Sequence, residues 1–236
     1  MKINTLLAKL KNCGGLRPLG SIKYIPIHYT GNNGDTAENN AKYFHNNTPG
    51  TSAHFFVDRQ GIVYKSVNLR RTAYAVGKDY RSGMAGEAKY YGKCTNANSV
   101  SIELCDCSKK ALSWEQMKAV KQLVSYIQKK CPNAKTIIRH WDVNGKHCPI
   151  GMIGQNNKEW KHLYNYIVNG YQYKVEVVTT LWIRSSREVT DANKIRKAKP
   201  GEVFNVTKVV GNWGRLKAKT RDGRYRWVNL KKCREI

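Results

Sequence analysis

The chain has 236 residues, 41% of them hydrophobic, which is enough for one large or two modest cores and excludes a wholly disordered chain. Its 42 Lys+Arg against 16 Asp+Glu give a net charge of +26, pointing to an acidic partner: nucleic acid, an anionic membrane or an anionic cell-wall polymer. No apolar run approaches the length of a membrane-spanning helix, residues 1–11 (MKINTLLAKLK) are broken by Lys9 and do not read as a secretory signal, and seven irregularly spaced cysteines read as reduced thiols.

The first strand is predicted over 22–30 (IKYIPIHYT), with Pro26 suited to an edge or irregular part of a sheet and His28 near the C-terminal end. Asp35 with Glu38 resembles a capping box for a helix reaching about Asn46. Runs 53–58 and 62–67 flank Arg59-Gln60-Gly61 and read as a hairpin, with His54 in its first strand. Residues 68–98, rich in Gly, Lys and Tyr, read as loops over a binding face.

SVSIELC (99–105) alternates Val100, Ile102 and Leu104 against a face carrying Glu103. Ser113 with Gln116 forms a capping box for a helix to Lys130, with Met117, Val120, Val124 and Ile127 on one face. TIIRHWDVNGKHCP (136–149) is a short buried strand followed by a loop that carries His140, Lys146 and Cys148. A helix over 157–168, with Trp160, Leu163, Tyr164 and Ile167 at helical spacing, closes a first domain of residues 1–169. Residues 170–236 change to short β-rich runs separated by turns (KPGE, VGNWG, RDGR), the pattern of a small all-β barrel. Residues 171–236 hold 17 Lys+Arg against 6 Asp+Glu, which suits a module that holds an enzyme on a negative surface.

Three strand ends thus supply chemistry: His28, Glu103, and His140 with Lys146 and Cys148. Two imidazoles and a thiolate suit catalytic zinc, which keeps a fourth position for water. Glu103 can take that water's proton and deliver one to a leaving amine, and Lys146 can stabilise an oxyanion. His54 rivals His28 as a ligand but reads better as a packing or substrate-side residue, since a mid-strand imidazole is less free to converge. Cys105 and Cys107, two apart, read as buried thiols, as do Cys13, Cys94, Cys131 and Cys233. His45, His147 and His162 read as surface, loop or packing residues, and Trp182, Trp213 and Trp227 suit either a barrel core or a ligand platform.

IHYT (27–30), SAHFFVDRQG (52–61), SIEL (101–104), and RHWDV with KHCP (139–149) resemble the zinc-dependent N-acetylmuramoyl-L-alanine amidases, a family that includes peptidoglycan recognition proteins and many phage endolysins. The resemblance covers nearly all of 20–168 and implies an α/β domain, a mixed central sheet flanked by helices. It also implies Zn2+ held by His28, His140 and Cys148, Glu103 as acid/base and Lys146 as transition-state stabiliser. TLWIRSS, KPGEVFNV, NWGRLKA and RYRWVNL resemble a bacterial SH3-like wall-binding domain. The pair implies an endolysin or autolysin that cuts the amide between N-acetylmuramic acid and L-Ala of bacterial peptidoglycan. The expected partner is an anionic cell wall, with no nucleic acid and no membrane insertion, and the expected route is cytoplasmic accumulation before release in phage lysis. The alternative is a receptor that binds peptidoglycan without cutting it. Two positions depart from the pattern: Ala53 stands where some members have a catalytic Tyr, and Ala75 where a His is frequent.

Overall fold

The computed structural model describes residues 1–77 and 88–236, so part of the segment expected as binding-face loops lies outside the described residues. The chain divides into two compact units, Met1–Trp160 and Lys161–Ile236.

In chain order, the first unit contains β1 (Asn4–Thr5), β2 (Cys13–Leu16), β3 (Tyr24–Tyr29), α1 (Ala37–Asn46), β4 (Phe55–Val57), β5 (Val63–Lys65), β6 (Arg71–Ala73), β7 (Ile102–Leu104), α2 (Trp114–Lys130), β8 (Thr136–Arg139) and α3 (His140–Asn144). The helix α4 (Lys158–Asn169) contains the division between the units. Six strands form one mixed sheet in the order β1-β5-β4-β7-β3-β8, with β4, β7, β3 and β8 mutually parallel and β5 antiparallel to β4. A separate two-stranded ribbon pairs β2 with β6.

The parallel strands read as continuous apolar runs because both of their faces are covered. Ile25, Ile27, Phe55, Ile102 and Leu104 are fully buried, each contributing ~1.5–3 kcal/mol relative to exposure. Pro26 does not sit at an edge, since β3 lies between β7 and β8. The β3–β7 ladder runs over Ile27↔Ile102 to Tyr29↔Leu104, and a separate bridge joins Tyr24 to Ser99. Pro26, which has no N–H, falls in the gap between them.

Both helix starts use the expected chemistry with altered partners. Thr36, not Asp35, caps α1, its hydroxyl accepting from Asn39 N–H at 3.1 Å. The Asp35 carboxylate instead accepts from Asp106 N–H at 2.6 Å and from Asn40 Nδ2 at 2.6 Å, tying the loop after β3 to the loop after β7. Ser113 caps α2 as expected, accepting from Gln116 N–H at 3.0 Å. Gln116 does not complete a box: its buried amide donates to the carbonyls of Val57 (3.0 Å) and Cys105 (2.9 Å), locking α2 to the strand ends.

The β4–β5 hairpin closes through Gly61, whose φ is +78°. A Cβ there would come within 2.8 Å of the Glu115 carbonyl oxygen at the start of α2. Gly61→Ala is therefore expected to destabilise the protein by about 1–3 kcal/mol, measurable as a lower urea midpoint; an unchanged midpoint would contradict the close packing of turn on helix.

In the second unit, β9 (Tyr173–Val177), β10 (Leu181–Arg184), β11 (Lys194–Ala198), β12 (Val203–Val210), β13 (Trp213–Lys219), β14 (Tyr225–Asn229) and β15 (Cys233–Glu235) make one antiparallel sheet in the order β11-β10-β14-β13-β12-β9-β15. Its core is aliphatic: Val175, Val177, Leu181, Ile183, Ala198, Val206, Leu216 and Val228. Trp182, Trp213 and Trp227 are half-buried and outside that core. In α4 the buried positions are Leu163, Tyr166 and Ile167, whereas Tyr164, expected on the apolar face, is 39% exposed.

Candidate metal centre

Sheet register assembles the site. Because β3, β7 and β8 are parallel, their C-terminal ends lie along one edge of the sheet, the position from which α/β sheets present ligands. His28 is the register partner of Glu103, so the two side chains leave the same face. Ile27 pairs with Arg139, which brings the next residue, His140, alongside His28. The imidazole centroids are 4.4 Å apart.

His140 does not enter a loop directly, as expected from sequence, but starts the one-turn helix α3. Asp142 holds that turn: its carboxylate accepts from Arg139 N–H at 2.8 Å and from Arg139 Nη2 at 2.7 Å. The buried Arg139 guanidinium also donates to Gly154 O at 2.8 Å and stacks over Trp141 and Trp160 at 4.4 and 5.4 Å. After α3, Gly145 in the left-handed region reverses the chain, and Trp141 N–H donates to Cys148 O at 2.9 Å. Cys148 is thereby returned to the sheet edge, where its Sγ accepts from Tyr29 N–H at 3.4 Å.

The ligand atoms of His28, His140 and Cys148 all lie within 4.8 Å of one another, and all three residues are buried. Ligands on a tetrahedral ion at roughly 2.0–2.3 Å would stand about 3.5 Å apart, so small movements close the set. His28 Nε2 is buried without a hydrogen-bond partner among the described residues, whereas Nδ1 lies 3.9 Å from Glu103 Oε1. An orphaned imidazole nitrogen facing a second imidazole and a thiol costs stability unless a cation meets it.

The electrostatics agree. Burial holds His28 well below the ordinary histidine range, with His140 and Lys146 adding to the effect. Burial, and then Lys146, lowers His140 to about 3, so both rings are neutral donors of a lone pair. Burial drives the Cys148 thiol above its usual range, with Glu103 as the next cause, so its thiolate needs a nearby positive charge. The residues present fit a soft-to-borderline divalent metal.

Glu103 stands half-buried beside this set, and burial raises its carboxyl to about 7 against the opposing pull of Lys146. A carboxyl poised there can accept and release a proton near neutral pH. Lys146 is exposed after Gly145 and is electrostatically coupled to His28, His140, Glu103 and Cys148.

His54 does not join the cluster. Arg17 Nη2 lies 2.8 Å from His54 Nε2, which is also 3.1 Å from the Arg71 carbonyl oxygen, and His54 Nδ1 accepts from Ser101 N–H at 3.1 Å. Arg17 also donates to the carbonyls of Asn96 and Ala97 at 2.8 and 2.9 Å, so the pair pins the segment before β7. Burial, then Arg17, lowers His54 to about 3. The unfolded chain therefore binds a proton below about pH 6.5 that the folded protein refuses, and stability falls as pH drops through that range. From pH 6.5 to 5 this amounts to about 2 kcal/mol, so His54→Gln should lose about that much less than the parent over this interval in denaturant titrations. Parallel pH slopes would contradict it.

Cys105 and Cys107 flank Asp106, whose φ is +48°, and none of the seven thiols is disulfide-bonded. Asp106 accepts from Gly34 N–H at 2.7 Å and pairs with Lys110 at 2.9 Å. With Asp35 it fixes the two loops that border Glu103. Sequence reading missed Asp35, Asp106, Arg139 and Asp142 as positioning groups; the Asp three residues after Arg139 was the one local signal among them.

A family model described as N-acetylmuramoyl-L-alanine amidase matches residues 18–151, more than half of the chain. The chain belongs to that family. This family member is 29% identical over 148 residues to the N-acetylmuramoyl-L-alanine amidase BlyA of Bacillus subtilis (strain 168), a match covering 59% of the chain and 40% of BlyA. It is 28% identical to the N-acetylmuramoyl-L-alanine amidase CwlL of Bacillus licheniformis, covering 59% of the chain and 39% of CwlL. The matches thus span about two fifths of these relatives' length. In fold, the amidase-family chain is similar to the solution structure of the PlyG catalytic domain, with a TM-score of 0.56, 24% identity, and coverage of 72% of this chain and 95% of that one. PlyL gives the same TM-score at 22% identity, covering 71% of this chain and 97% of PlyL.

Proposed function

We propose that the protein is a zinc-dependent peptidoglycan amidase that hydrolyses the bond between N-acetylmuramic acid and L-alanine, with the bacterial cell wall as its place of action. The observation that carries this reading is the convergence of His28, His140 and Cys148 at one sheet edge, with Glu103 in register beside His28, in a chain of this amidase family.

His28 and His140, as neutral imidazoles, and Cys148, as a thiolate, would hold the ion. Zinc bound there supplies Lewis acidity towards the amide carbonyl and a water of lowered pKa. Glu103 accepts the proton of the attacking water and returns one to the departing amine, so the C–N bond breaks with no net change in the site's protonation. The Lys146 ammonium meets the negative charge that develops on the carbonyl oxygen. Arg139 and Asp142 keep His140 aimed by clamping α3.

The second unit is read as an SH3-like wall-binding module. Its support is the antiparallel sheet, the four sequence runs that resemble such domains, and 17 Lys+Arg against 6 Asp+Glu over residues 171–236. Attachment to an anionic wall keeps the first unit at high local concentration of its substrate.

The test is the chemistry of wall digestion. Incubating purified peptidoglycan with the zinc-loaded protein should release new amino groups without new reducing sugar ends, and a chelator should stop it. New reducing ends would mean a glycosidase. Tight binding without either product would favour a peptidoglycan receptor.

A further inference from the structure

The second unit carries a cleft that the amidase chemistry does not use. It has a volume of ≈ 310 Å³ and is lined in part by Trp182, Trp213, Arg184, Lys197, Asn229 and Lys232, with no acidic residue in its lining. We propose that this cleft binds a phosphodiester-linked glycan or polyol, the anionic polymer class of a cell wall, with the two indoles as platforms and the two lysines as phosphate ligands. This rests on the reading of the second unit as a wall-binding module and gives that module its ligand and its site.

Register builds the cleft from four strands. Trp182 on β10 is directly opposite Lys197 on β11, and Trp213 on β13 is directly opposite Asn229 on β14, so each indole shares a sheet face with a polar partner. Trp182 already attracts cations: Lys194 Nζ lies 5.0 Å and Lys197 Nζ 5.4 Å from its ring centroid. Both tryptophans are half-buried while the core is filled by aliphatic residues, so they leave ring surface at the cleft instead of completing the interior. A half-exposed indole presents a flat apolar face of the kind on which the C–H face of a sugar or polyol stacks.

The charge balance selects an anion. Five of the unit's six side-chain carboxylates are engaged elsewhere: Glu176 with Arg234, Asp191 with Lys194, Glu202 with Arg196, Asp222 with Arg224, and Glu235 with His162. Among the described residues Lys197 and Lys232 have no carboxylate partner, and Lys232 Nζ donates to the Thr180 carbonyl at 3.4 Å. Arg184 is buried and donates to Asn193 Oδ1 at 2.7 Å and to the Thr190 carbonyl, so it braces the β10–β11 connection and adds positive potential from beneath. Asn229 Oδ1 accepts from Lys231 N–H at 3.0 Å, which leaves its amide hydrogens to donate. The charged side chains of the lining, Arg184, Lys197 and Lys232, are all cations, complementary to phosphate oxygens. Lysines hold phosphate as point charges and need no fixed fork, which fits a repeating, flexible polymer.

The test uses the full chain and three probes: a poly(glycerol phosphate) oligomer, an uncharged glycan oligomer of similar length, and a single-stranded DNA oligomer of equal charge. Tryptophan fluorescence titration at physiological salt should show binding of the glycerol phosphate oligomer, at least tenfold weaker in the Lys197→Gln/Lys232→Gln double variant with its melting temperature unchanged. Trp182→Phe should retain part of the binding, and the uncharged oligomer should not bind. Unaltered affinity in the double variant would overturn the assignment, as would tighter binding of DNA than of glycerol phosphate, which would favour a nucleic-acid site. Co-sedimentation with purified walls separates the two levels. Wall binding without oligomer binding overturns the cleft alone, whereas loss of both removes the wall-binding reading.

Discussion

Cys148→Ser is expected to give a folded protein that loses zinc on gel filtration and hydrolyses peptidoglycan on the order of 10³-fold more slowly, about 4 kcal/mol of lost barrier reduction. The side chain is 1% exposed and its Sγ accepts from the Tyr29 N–H, a role that a hydroxyl oxygen of nearly equal size can keep. What serine cannot supply is a thiolate. With Cys148 gone, two neutral imidazoles remain, and they bring no negative charge to offset the dication in a buried site. Zinc content by mass spectrometry, alongside the melting temperature, separates ligand loss from unfolding. One retained equivalent of zinc in Cys148→Ser would contradict the proposed ligand set.

Glu103→Gln has the second large effect and the opposite signature: zinc is retained, the fold persists, and kcat falls by about 10²–10⁴. The amide keeps the size of the carboxyl, and the nearest imidazole nitrogen, His28 Nδ1, is 3.9 Å from Glu103 Oε1, beyond hydrogen-bond range, so the ligand is not released. Glutamine cannot take a proton from water. Since burial sets the carboxyl to about 7, both of its protonation states are accessible near neutral pH, which is what a group needs to act first as base and then as acid. Near-parental kcat in Glu103→Gln would place proton transfer elsewhere.

How legible the site was follows from periodicity. β3, β7 and β8 announce themselves because buried parallel strands need apolar runs, and polar residues at their ends then stand out: His28, Glu103 and His140. Their order in the sheet is a matter of long-range pairing, and no local pattern carries it. The same holds for β1, two residues that pair in parallel with β5 and are too short to show alternation. Asp35 looked like a helix cap because caps and loop ties use the same short carboxylate; Thr36 took the cap, and Asp35 the backbone of Asp106. Pro26 suited an edge or an irregular part of a sheet; the strand is interior, and the irregularity is the break in the ladder at that point. α3 was hidden by its length, a single turn whose start Asp142 caps. In the second unit the strands were readable from β-rich runs and turns, but which faces of Trp182 and Trp213 were covered depended on the aliphatic core already being full.

The most direct test of the central claim is mass spectrometry of purified peptidoglycan after incubation with the zinc-loaded protein. The account predicts free stem peptides beginning with an L-alanine amino terminus and intact glycan strands, absent from chelated and Glu103→Gln samples. Stem peptides that remain attached to muramic acid, or products cut within the peptide or the glycan, would contradict it.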